Sequence, residues 1–400
     1  MVTHLGQRAT NQTQSTILSI LRDNGTLSRV QLADHLQVSR TTIAAEVSRL
    51  IDVGLLVEVG PAASRGGRRS TLIDLSPSLR FVGIDVGATS LSVAITDGRL
   101  GVLKTESMPC DIRTGPEEVI HQAITVTKRL MRQAKVRQVS GIGIGVPGPV
   151  DFHRGRPVSP PLMPGWHGYP VRDALSRAFN APVLLDNDAN LRAIGEGHSG
   201  IAQGVEDFLF VKVGTGIGCG IVVGGELYRG TAGCAGDIGH IRVADTGPVC
   251  ACGNVGCLEA FFGGAALARD AAELARAGAS PALADMLGRG KGATLSGEAV
   301  GRAVAQGDPA SVQLVKDGGR QLGVVLASLV SFFNPAMVVI GGGVAQLGHL
   351  LLAEIRGVIY RRSLPLATGN LPIVLSELGA EAGMIGGAAL ISTEVFEPQL

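Results

Sequence analysis

The chain has 400 residues, 45% of them apolar, and a formal net charge of +1, so two or three domains of roughly 100 to 200 residues each are expected. Its longest apolar run, Leu322 to Phe333, is too short to cross a bilayer, and the N-terminus lacks the charged and then apolar pattern of a signal peptide. Six cysteines fit a reducing compartment better than a secreted disulfide framework, so a cytoplasmic location without membrane contact is expected.

The first eighty residues carry the basic excess of the chain, with nine arginines against six acidic residues. Apolar residues at helical spacing predict a first helix that stops at Gly25. Ser28 followed by Gln31 has the form of a capping box that opens a second helix, and Ser39 caps a third. Because a short turn joins the second and third helices, the pattern predicts a helix-turn-helix.

The third helix and the strands after it predict a DNA-binding surface over residues 1–78. The start of the helix offers short polar or forked donors that suit base edges and phosphates in the major groove, namely Ser39, Arg40, Thr41 and Thr42. Predicted strands at 55–59 and 70–75 enclose a glycine-rich tip whose arginines suit a narrow minor groove, namely Arg65, Arg68 and Arg69. The alternatives are a solvated charge run at the tip and a protein-interaction module for the whole segment.

Two strand-turn-strand segments of like design, at 81–96 and 208–223, predict a duplicated fold. Such turns expose backbone N–H groups and a threonine hydroxyl, so two facing turns are able to bind a polyphosphate. Asp85 is placed to hold the Mg²⁺ ion of such a polyphosphate through a water molecule. A third glycine turn follows a later strand, and the turn residues are Gly87, Thr89, Gly214, Thr215, Gly216, Gly341, Gly342 and Gly343. Together the three turns favour a nucleotide cleft or its relic, although either hairpin alone would be an ordinary glycine turn.

Carboxylate and amide side chains crowd residues 186–190, where a predicted strand ends and a helix begins. Asn and Asp side chains at such a position suit a polyhydroxylated ligand, and Asp188 is able to take a proton from an attacking hydroxyl. A helix cap with an Asx turn is the alternative, and it accounts for one of these residues but not for four.

Residues 236–259 bring a histidine and three cysteines within eighteen residues, namely His240, Cys250, Cys252 and Cys257. Imidazole and thiolate are ligands that hold Zn²⁺ in a closed tetrahedron. Gly253 and Gly256 let the backbone turn around such an ion. The spacing predicts a structural zinc site with no open position for a catalytic water; ordinary reduced cysteines in a loop are the alternative.

These motifs resemble the ROK family, named for its repressors, open reading frames and kinases, over nearly the whole chain. The turns at 85–89 and 214–218 resemble the two phosphate loops of the family, and 341–343 resembles its adenosine loop. Residues 187–190 resemble the segment with its sugar-binding asparagine and catalytic aspartate. The resemblance implies sugar contacts from Asn187, Asp188, Asp237, His240 and Glu259. Asp237 stands where the family carries a glutamate, which is one methylene longer.

The resemblance implies an α/β, actin-like (ribonuclease H-like, duplicated) two-lobe sugar-kinase fold that assembles as a homodimer or homotetramer. Lobe 1 is expected at 79–195, completed by a C-terminal helix at 380–400, and lobe 2 with the zinc site at 196–379. The winged helix-turn-helix then indicates a sugar-responsive repressor of carbohydrate metabolism whose partners are operator DNA and a sugar or sugar phosphate. The alternative is an ATP-dependent hexose or amino-sugar kinase that uses Mg²⁺, alone or combined with DNA binding. Regulation is favoured because a kinase needs no DNA-binding domain.

Overall fold

The N-terminal part of the chain is a winged helix-turn-helix in the computed structural model, which describes residues 9–61, 70–287 and 294–398. Its elements are α1 (Gln12–Asn24), β1 (Leu27–Ser28), α2 (Arg29–Leu36), α3 (Arg40–Asp52), β2 (Leu56–Pro61) and β3 (Thr71–Leu75). The strands pair antiparallel in the order β1-β3-β2, so the wing has one strand more than predicted. The predicted wing tip, with Arg65, Arg68 and Arg69, lies outside the described residues.

Side-chain caps explain where α2 and α3 begin. Ser28 Oγ accepts the Gln31 N–H at 3.3 Å and Gln31 Oε1 accepts the Ser28 N–H at 2.9 Å, which confirms the predicted capping box. Ser39 Oγ accepts the Thr42 N–H at 3.1 Å and caps α3 as predicted. Gln37 adopts the left-handed conformation, with φ 55, in the turn between the helices. Since each cap stabilises its helix by about 1 kcal/mol, local sequence specifies much of this motif.

The core of the winged helix-turn-helix is continuous with apolar side chains of the segments that follow it in the chain. Ile17, Leu21 and Val47 are fully buried in an apolar cluster that also contains Phe81 and Phe396. The rings of Phe81 and Phe396 pack edge to face with their centroids 6.0 Å apart. Closely packed protein interiors transmit displacements. A displacement of the winged helix-turn-helix therefore forces the side chains around Phe81 and Phe396 to repack, and the reverse also holds.

Two five-stranded sheets with flanking helices form the body of the molecule. The first half contains β4 (Phe81–Val86), β5 (Ser90–Thr96), β6 (Val102–Pro109), α4 (Pro116–Gln133), β7 (Gly141–Val146), β8 (Val150–Asp151), β9 (Arg156–Pro157), α5 (Val171–Phe179), β10 (Val183–Asn187) and α6 (Asp188–Ser199). The second half contains β11 (Phe208–Val213), β12 (Ile217–Val223), β13 (Glu226–Leu227), α7 (Leu258–Phe262), α8 (Gly264–Arg276), α9 (Pro281–Leu287), α10 (Gly297–Ala305), α11 (Pro309–Phe333), β14 (Met337–Gly341), α12 (His349–Arg362), α13 (Pro365–Thr368), β15 (Ile373–Leu375) and α14 (Glu381–Phe396). Within the described ranges, no helix combines the length and apolar character needed to cross a membrane.

Both sheets have the same connectivity. Their strand orders are β6-β5-β4-β7-β10 and β13-β12-β11-β14-β15. In each sheet an antiparallel three-stranded meander is extended by two strands that run parallel to its first strand. This equivalence confirms the predicted duplication. We call residues 81–199 lobe 1 and residues 208–375 lobe 2.

Helices α6 and α14 lie at the centre of the molecule. α14 packs on α6 and on β4 and β7 of lobe 1, while α6 also contacts β11 and β12 of lobe 2. Glycines permit these close approaches, because a Cβ at Gly386 would collide with the carbonyl oxygen of Leu191, and one at Gly83 with that of Met384. α6 therefore packs against both lobes. The predicted domain boundaries at residues 78, 195 and 379 stay predictions.

Candidate ligand cleft, metal centre and DNA-binding surface

An open cleft lies between the two lobes, and the space within it, open solvent included, is about 820 Å³. Lobe 1 lines it with residues 147–149 and 160–163 and with the junction of β10 and α6, while lobe 2 lines it with residues 215–219 and 233–237. The predicted sugar contacts that line this cleft are Asn187, Asp188, Asp237, His240 and Glu259. The fold thus brings together five side chains from three separate stretches of the sequence.

Asn187 is the N-cap of α6. Its Oδ1 accepts the Ala189 N–H at 2.8 Å, and its Nδ2 donates to the Gly148 carbonyl at 3.0 Å. Asp186 is buried and accepts hydrogen bonds at 2.8 Å from both Asn190 Nδ2 and Arg229 Nε. Structural hydrogen bonds therefore account for three of the four polar side chains at residues 186–190. The alternative of a helix cap with an Asx turn was expected to account for only one. The fourth, Asp188, is bound by a side chain of the opposite lobe.

Asp188 is the first residue of α6, and its carboxylate is only 5% exposed. Lys212, on β11 of the opposite lobe, donates from its Nζ to Asp188 Oδ2. The sequence did not lead us to predict this pair, although a single lysine within the apolar run from Phe208 to Val213 was a visible signal. The predicted base of a kinase is thus already bound by an ammonium group.

Asp85 is also paired with a basic side chain. Arg192 on α6 donates to Asp85 Oδ2 at 2.5 Å and to the Gly379 carbonyl at 2.9 Å. Burial raises the pKa of Asp85, and the guanidinium opposes this by stabilising the carboxylate. Among the described residues, Asp85 Oδ1 and Arg192 Nε are buried without a hydrogen-bond partner. A guanidinium at this carboxylate disfavours a second cation, so the residues do not fit Mg²⁺ well.

The first two predicted glycine turns meet at the cleft. Ala88 of the first turn and Thr215 and Gly216 of the second line it from opposite lobes, whereas Thr89 is exposed. The Gly87 N–H donates to the Ser90 carbonyl at 2.7 Å, and the Gly214 N–H donates to the Gly216 carbonyl at 2.9 Å, so internal hydrogen bonds close both turns. Phosphate binding by these turns stays a prediction.

The third glycine turn lies beside the second. Gly341 on β14 is in register with Lys212 on β11, so both strands end at the same edge of the sheet. Gly342 has φ +93, and a Cβ there would collide with the Val213 carbonyl, so this position requires glycine. Gly343 lines a separate, shallow depression together with residues of α10. The turn therefore lies in lobe 2 but outside the main cleft.

His240, Cys250, Cys252 and Cys257 form a compact cluster, as predicted. One ligand atom from each lies within 4.8 Å of all the others. Cys252 Sγ and Cys257 Sγ are 3.7 Å apart, and Cys250 Sγ is 3.5 Å from His240 Nδ1. Tetrahedral Zn²⁺ with bonds of about 2.0 to 2.3 Å requires separations of this size. The donor set and its spacing therefore fit zinc.

The cluster adjoins the acidic side of the cleft. His240 ends a 3-10 turn that begins at Ile238, and Cys257 is the N-cap of α7, which carries Glu259. Glu259 Oε2 accepts the Ile217 N–H at 3.0 Å, and Asp237 Oδ1 lies 3.9 Å from His240 Nε2. Burial raises the pKa of both carboxyls. In contrast to Asp85 and Asp188, neither has a Lys or Arg ion-pair partner in the described part of the chain.

The predicted major-groove residues share one exposed surface. Ser39, Arg40, Thr41 and Thr42 are all solvent-exposed at the start of α3. Ser39 and Thr42 use their hydroxyls partly in the cap, where the two oxygens are 2.8 Å apart. Arg40 has no ion-pair partner within the described residues, so its guanidinium is available to a phosphate or base. This is the arrangement that a recognition helix requires.

Helix α1 of the DNA-binding domain is held by both central helices. His198 Nε2, in the last turn of α6, lies 3.6 Å from Asp23 Oδ1. Arg22 donates to Ser392 Oγ at 2.9 Å and to Thr393 Oγ1 at 3.0 Å on α14. Since α6 begins at the cleft and ends at α1, one rigid element joins the ligand cleft to the DNA-binding domain.

Comparison with known families agrees with this architecture. Residues 81–394 match the ROK family, and residues 10–57 match the winged helix-turn-helix DNA-binding family. The chain belongs to the ROK family. It is 30% identical over 383 residues to a putative xylose repressor of Caldicellulosiruptor sp. (strain Rt8B.4), with 95% of each chain covered.

Two solved structures share the fold of this ROK protein. A ROK family transcriptional regulator, described as a homolog of the E. coli MLC protein, has a TM-score of 0.81 at 26% identity and covers 96% of each chain. A ROK glucokinase from Streptomyces griseus, in complex with glucose and AMPPNP, has a TM-score of 0.69 at 32% identity. It covers 78% of this chain and 98% of the glucokinase. The predicted actin-like sugar-kinase fold is confirmed, and of these two structures it is the regulator that matches over nearly the full length of the chain.

Proposed function

We propose that this ROK protein is a sugar-responsive transcriptional repressor of carbohydrate metabolism, with operator DNA and a sugar or sugar phosphate as partners. The observation that carries the proposal is the path of α6, which begins at Asp188 in the cleft and places His198, in its last turn, against α1 of the DNA-binding domain. Full-length similarity to a protein named as a xylose repressor supports it.

The sugar binds between the lobes. Asn187 and Asp188 face it from lobe 1, and Asp237, His240 and Glu259 face it from lobe 2. Carboxylates accept hydrogen bonds from sugar hydroxyls, and charge-assisted bonds of this kind are about twice as strong as neutral ones. Because the ligand contacts both lobes, its binding free energy depends on the distance between them.

Zinc holds the lobe 2 side of the site together. His240, Cys250, Cys252 and Cys257 would supply all four ligands, which leaves no position for a catalytic water. The metal would fix the ends of the loop that carries Asp237 and the first turn of α7 that carries Glu259. Its role is therefore to position sugar contacts.

Sugar binding changes operator affinity through a shift between two lobe arrangements. A ligand that binds one arrangement more tightly increases the population of that arrangement. α6 contacts both sheets, so a change in lobe closure displaces it, and α1 follows through Asp23 and Arg22. Coupling of about 1 to 3 kcal/mol would alter operator affinity about 5- to 150-fold.

The kinase alternative is less well supported by the cleft. An ATP-dependent hexose or amino-sugar kinase would require Asp188 as general base and Asp85 to hold Mg²⁺. Lys212 and Arg192 already occupy these two carboxylates. A base that is bound by an ammonium group is a weaker proton acceptor, because accepting a proton breaks the ion pair.

A two-fold dimer, or a tetramer built from it, would present paired recognition helices to a pseudo-palindromic operator. Exposed apolar side chains at the end of α11 and the start of α13 support self-association. Phe332, Leu364 and Leu366 are 81%, 77% and 99% exposed. We propose that a second copy of the chain covers these side chains, because exposed apolar surface marks protein interfaces when it is contiguous.

A thermal-shift screen of sugars and sugar phosphates, with and without ATP, tests the proposal. A repressor of this kind is stabilised by its sugar alone and releases a labelled fragment of its operator region when that sugar is added. Stabilisation by ATP alone, together with phosphorylation of a sugar and no DNA binding, would instead establish the kinase.

A further inference from the structure

Lys212 lies between two features that a sugar kinase would use. Its Nζ donates to Asp188 Oδ2, and a Cβ built at Gly214 would lie 3.3 Å from its Cε, so its stem runs beside the second glycine turn. Both Asp188 and Lys212 line the cleft. The lysine thus fills the space between the predicted base and the predicted phosphate loop.

A phosphoryl acceptor would have to place its hydroxyl in that same space. In an aldohexopyranose the primary hydroxyl is carried by an exocyclic carbon that projects from the ring, whereas an aldopentopyranose has no such arm. A hexose that reached Asp188 with this arm would displace the Lys212 ammonium. The displacement would leave a nearly buried carboxylate without its cation, which is costly.

We infer that Lys212 makes this cleft selective for an aldopentose in its pyranose form. The inference rests on the proposed function and specifies its ligand class. In the resulting site the Lys212 ammonium stays on Asp188, and the dyad recognises one ring hydroxyl. That hydroxyl donates to the free carboxylate oxygen of Asp188 and accepts from Lys212.

Three pairs of sugars isolate the exocyclic arm from ring stereochemistry. D-xylose and D-glucose, L-arabinose and D-galactose, and D-lyxose and D-mannose have matching ring hydroxyls and differ only in the hydroxymethyl group. Calorimetric titration of the full chain with all six sugars measures each ratio of dissociation constants. In the pair that matches the site, the pentose should bind about 10-fold or more tightly than its hexose, the usual effect of one such group in a shaped pocket.

Two variants separate the effect of the Lys212 side-chain volume on sugar selectivity from the effect of its charge. Lys212→Ala opens the space, so the affinity for the hexose should rise relative to that for the pentose. The ratio of the hexose to the pentose dissociation constant should fall about 10-fold. Lys212→Met keeps most of the volume and removes the charge, so the hexose arm no longer has to displace a cation from Asp188; the ratio should fall, but by less than in Lys212→Ala, and pentose binding should weaken. Lys104→Ala, at an exposed position of β6, is the matched control and should leave the ratio unchanged. Unfolding midpoints and sugar-free operator binding show whether each variant is folded.

Several outcomes would overturn the inference. They are a hexose that binds wild type as tightly as its pentose, no binding of any pentose, and an unchanged ratio in folded Lys212→Ala. Operator release by a hexose or an amino sugar would leave the repressor proposal standing while removing the pentose selectivity. Absence of any sugar effect on operator binding would remove the proposed function itself.

Discussion

His198 lies in the last turn of the helix that begins at Asp188, and its imidazole lies 3.6 Å from the carboxylate of Asp23 on α1. We expect His198→Ala to reduce the factor by which sugar changes operator affinity by about 2- to 5-fold, the range of a partly exposed polar pair. Fluorescence anisotropy with labelled operator, with and without saturating sugar, measures this factor. His121→Ala, at an exposed position of α4, is the control; an unchanged factor in His198→Ala would exclude this contact from the coupling.

The same contact predicts a dependence of stability on pH. Burial alone would raise the pKa of Asp23, but hydrogen bonds from His198 and Arg22 outweigh it and hold the pKa at about 2, below the ordinary 3.8. Asp23 therefore contributes stability that is present above its ordinary pKa of 3.8 and is lost as the pH falls towards about 2. Urea unfolding of wild type and Asp23→Asn should show a difference that shrinks as the pH falls from about 5 towards about 2. A difference that grows over that range would contradict this.

Loss of one ligand of the metal cluster should affect the sugar response separately from DNA binding. Cys252→Ser should lower the zinc content from about one ion per chain and weaken the sugar response, because the loop before His240 and the turn that carries Glu259 lose their common anchor. Elemental analysis and sugar titration check both effects. Cys110→Ala, a buried cysteine of lobe 1, is the control. Full sugar response in metal-free Cys252→Ser would argue against a positioning role.

DNA contact and sugar contact should be lost independently. Arg40→Ala should weaken operator binding and reduce the slope of log affinity against log salt by about 1, since one phosphate contact disappears. Its sugar affinity should not change. Asp188→Asn should lose sugar response and retain sugar-free operator binding. Arg361→Ala, exposed on α12, is the control for loss of a positive charge; equal losses in Arg361→Ala and Arg40→Ala would remove α3 as the recognition helix.

The crossing of α6 and α14 predicts a large effect from one methyl group. Gly386→Ala places a Cβ against the Leu191 carbonyl, so it should lower the free energy of unfolding by about 2 to 3 kcal/mol or more. Gly301→Ala on α10 meets only the Leu347 side chain at 3.5 Å, so it should be neutral or stabilise by up to about 1 kcal/mol. Denaturant titration compares the two. Equal effects would mean that the helices do not cross this closely.

Local features of this protein were predictable from its sequence, whereas contacts between distant residues were not. The capping box at Ser28 and Gln31 and the spacing of the zinc ligands act over a few residues, so their patterns are visible in the chain. Lys212 and Arg192 pair with carboxylates 24 and 107 residues away, and only the fold brings them together.

Glycine illustrates the same limit. Glycine was predicted to serve in turns such as the one at 341–343, and Gly342 fits that prediction. Gly83 and Gly386 serve a different purpose, because they allow α14 to approach β4 and α6 without a turn. The two-residue strand β1 was missed since its pairing with β3 depends on tertiary contact rather than on an alternating pattern.

The most direct test of the central claim is a thermodynamic cycle on the full chain. Operator affinity is measured with and without the sugar, and sugar affinity is measured with and without operator. Linkage requires the two factors to be equal, and the proposed coupling predicts a common value of about 5 to 150. Identical sugar affinity in the presence and absence of operator would contradict a sugar-responsive repressor.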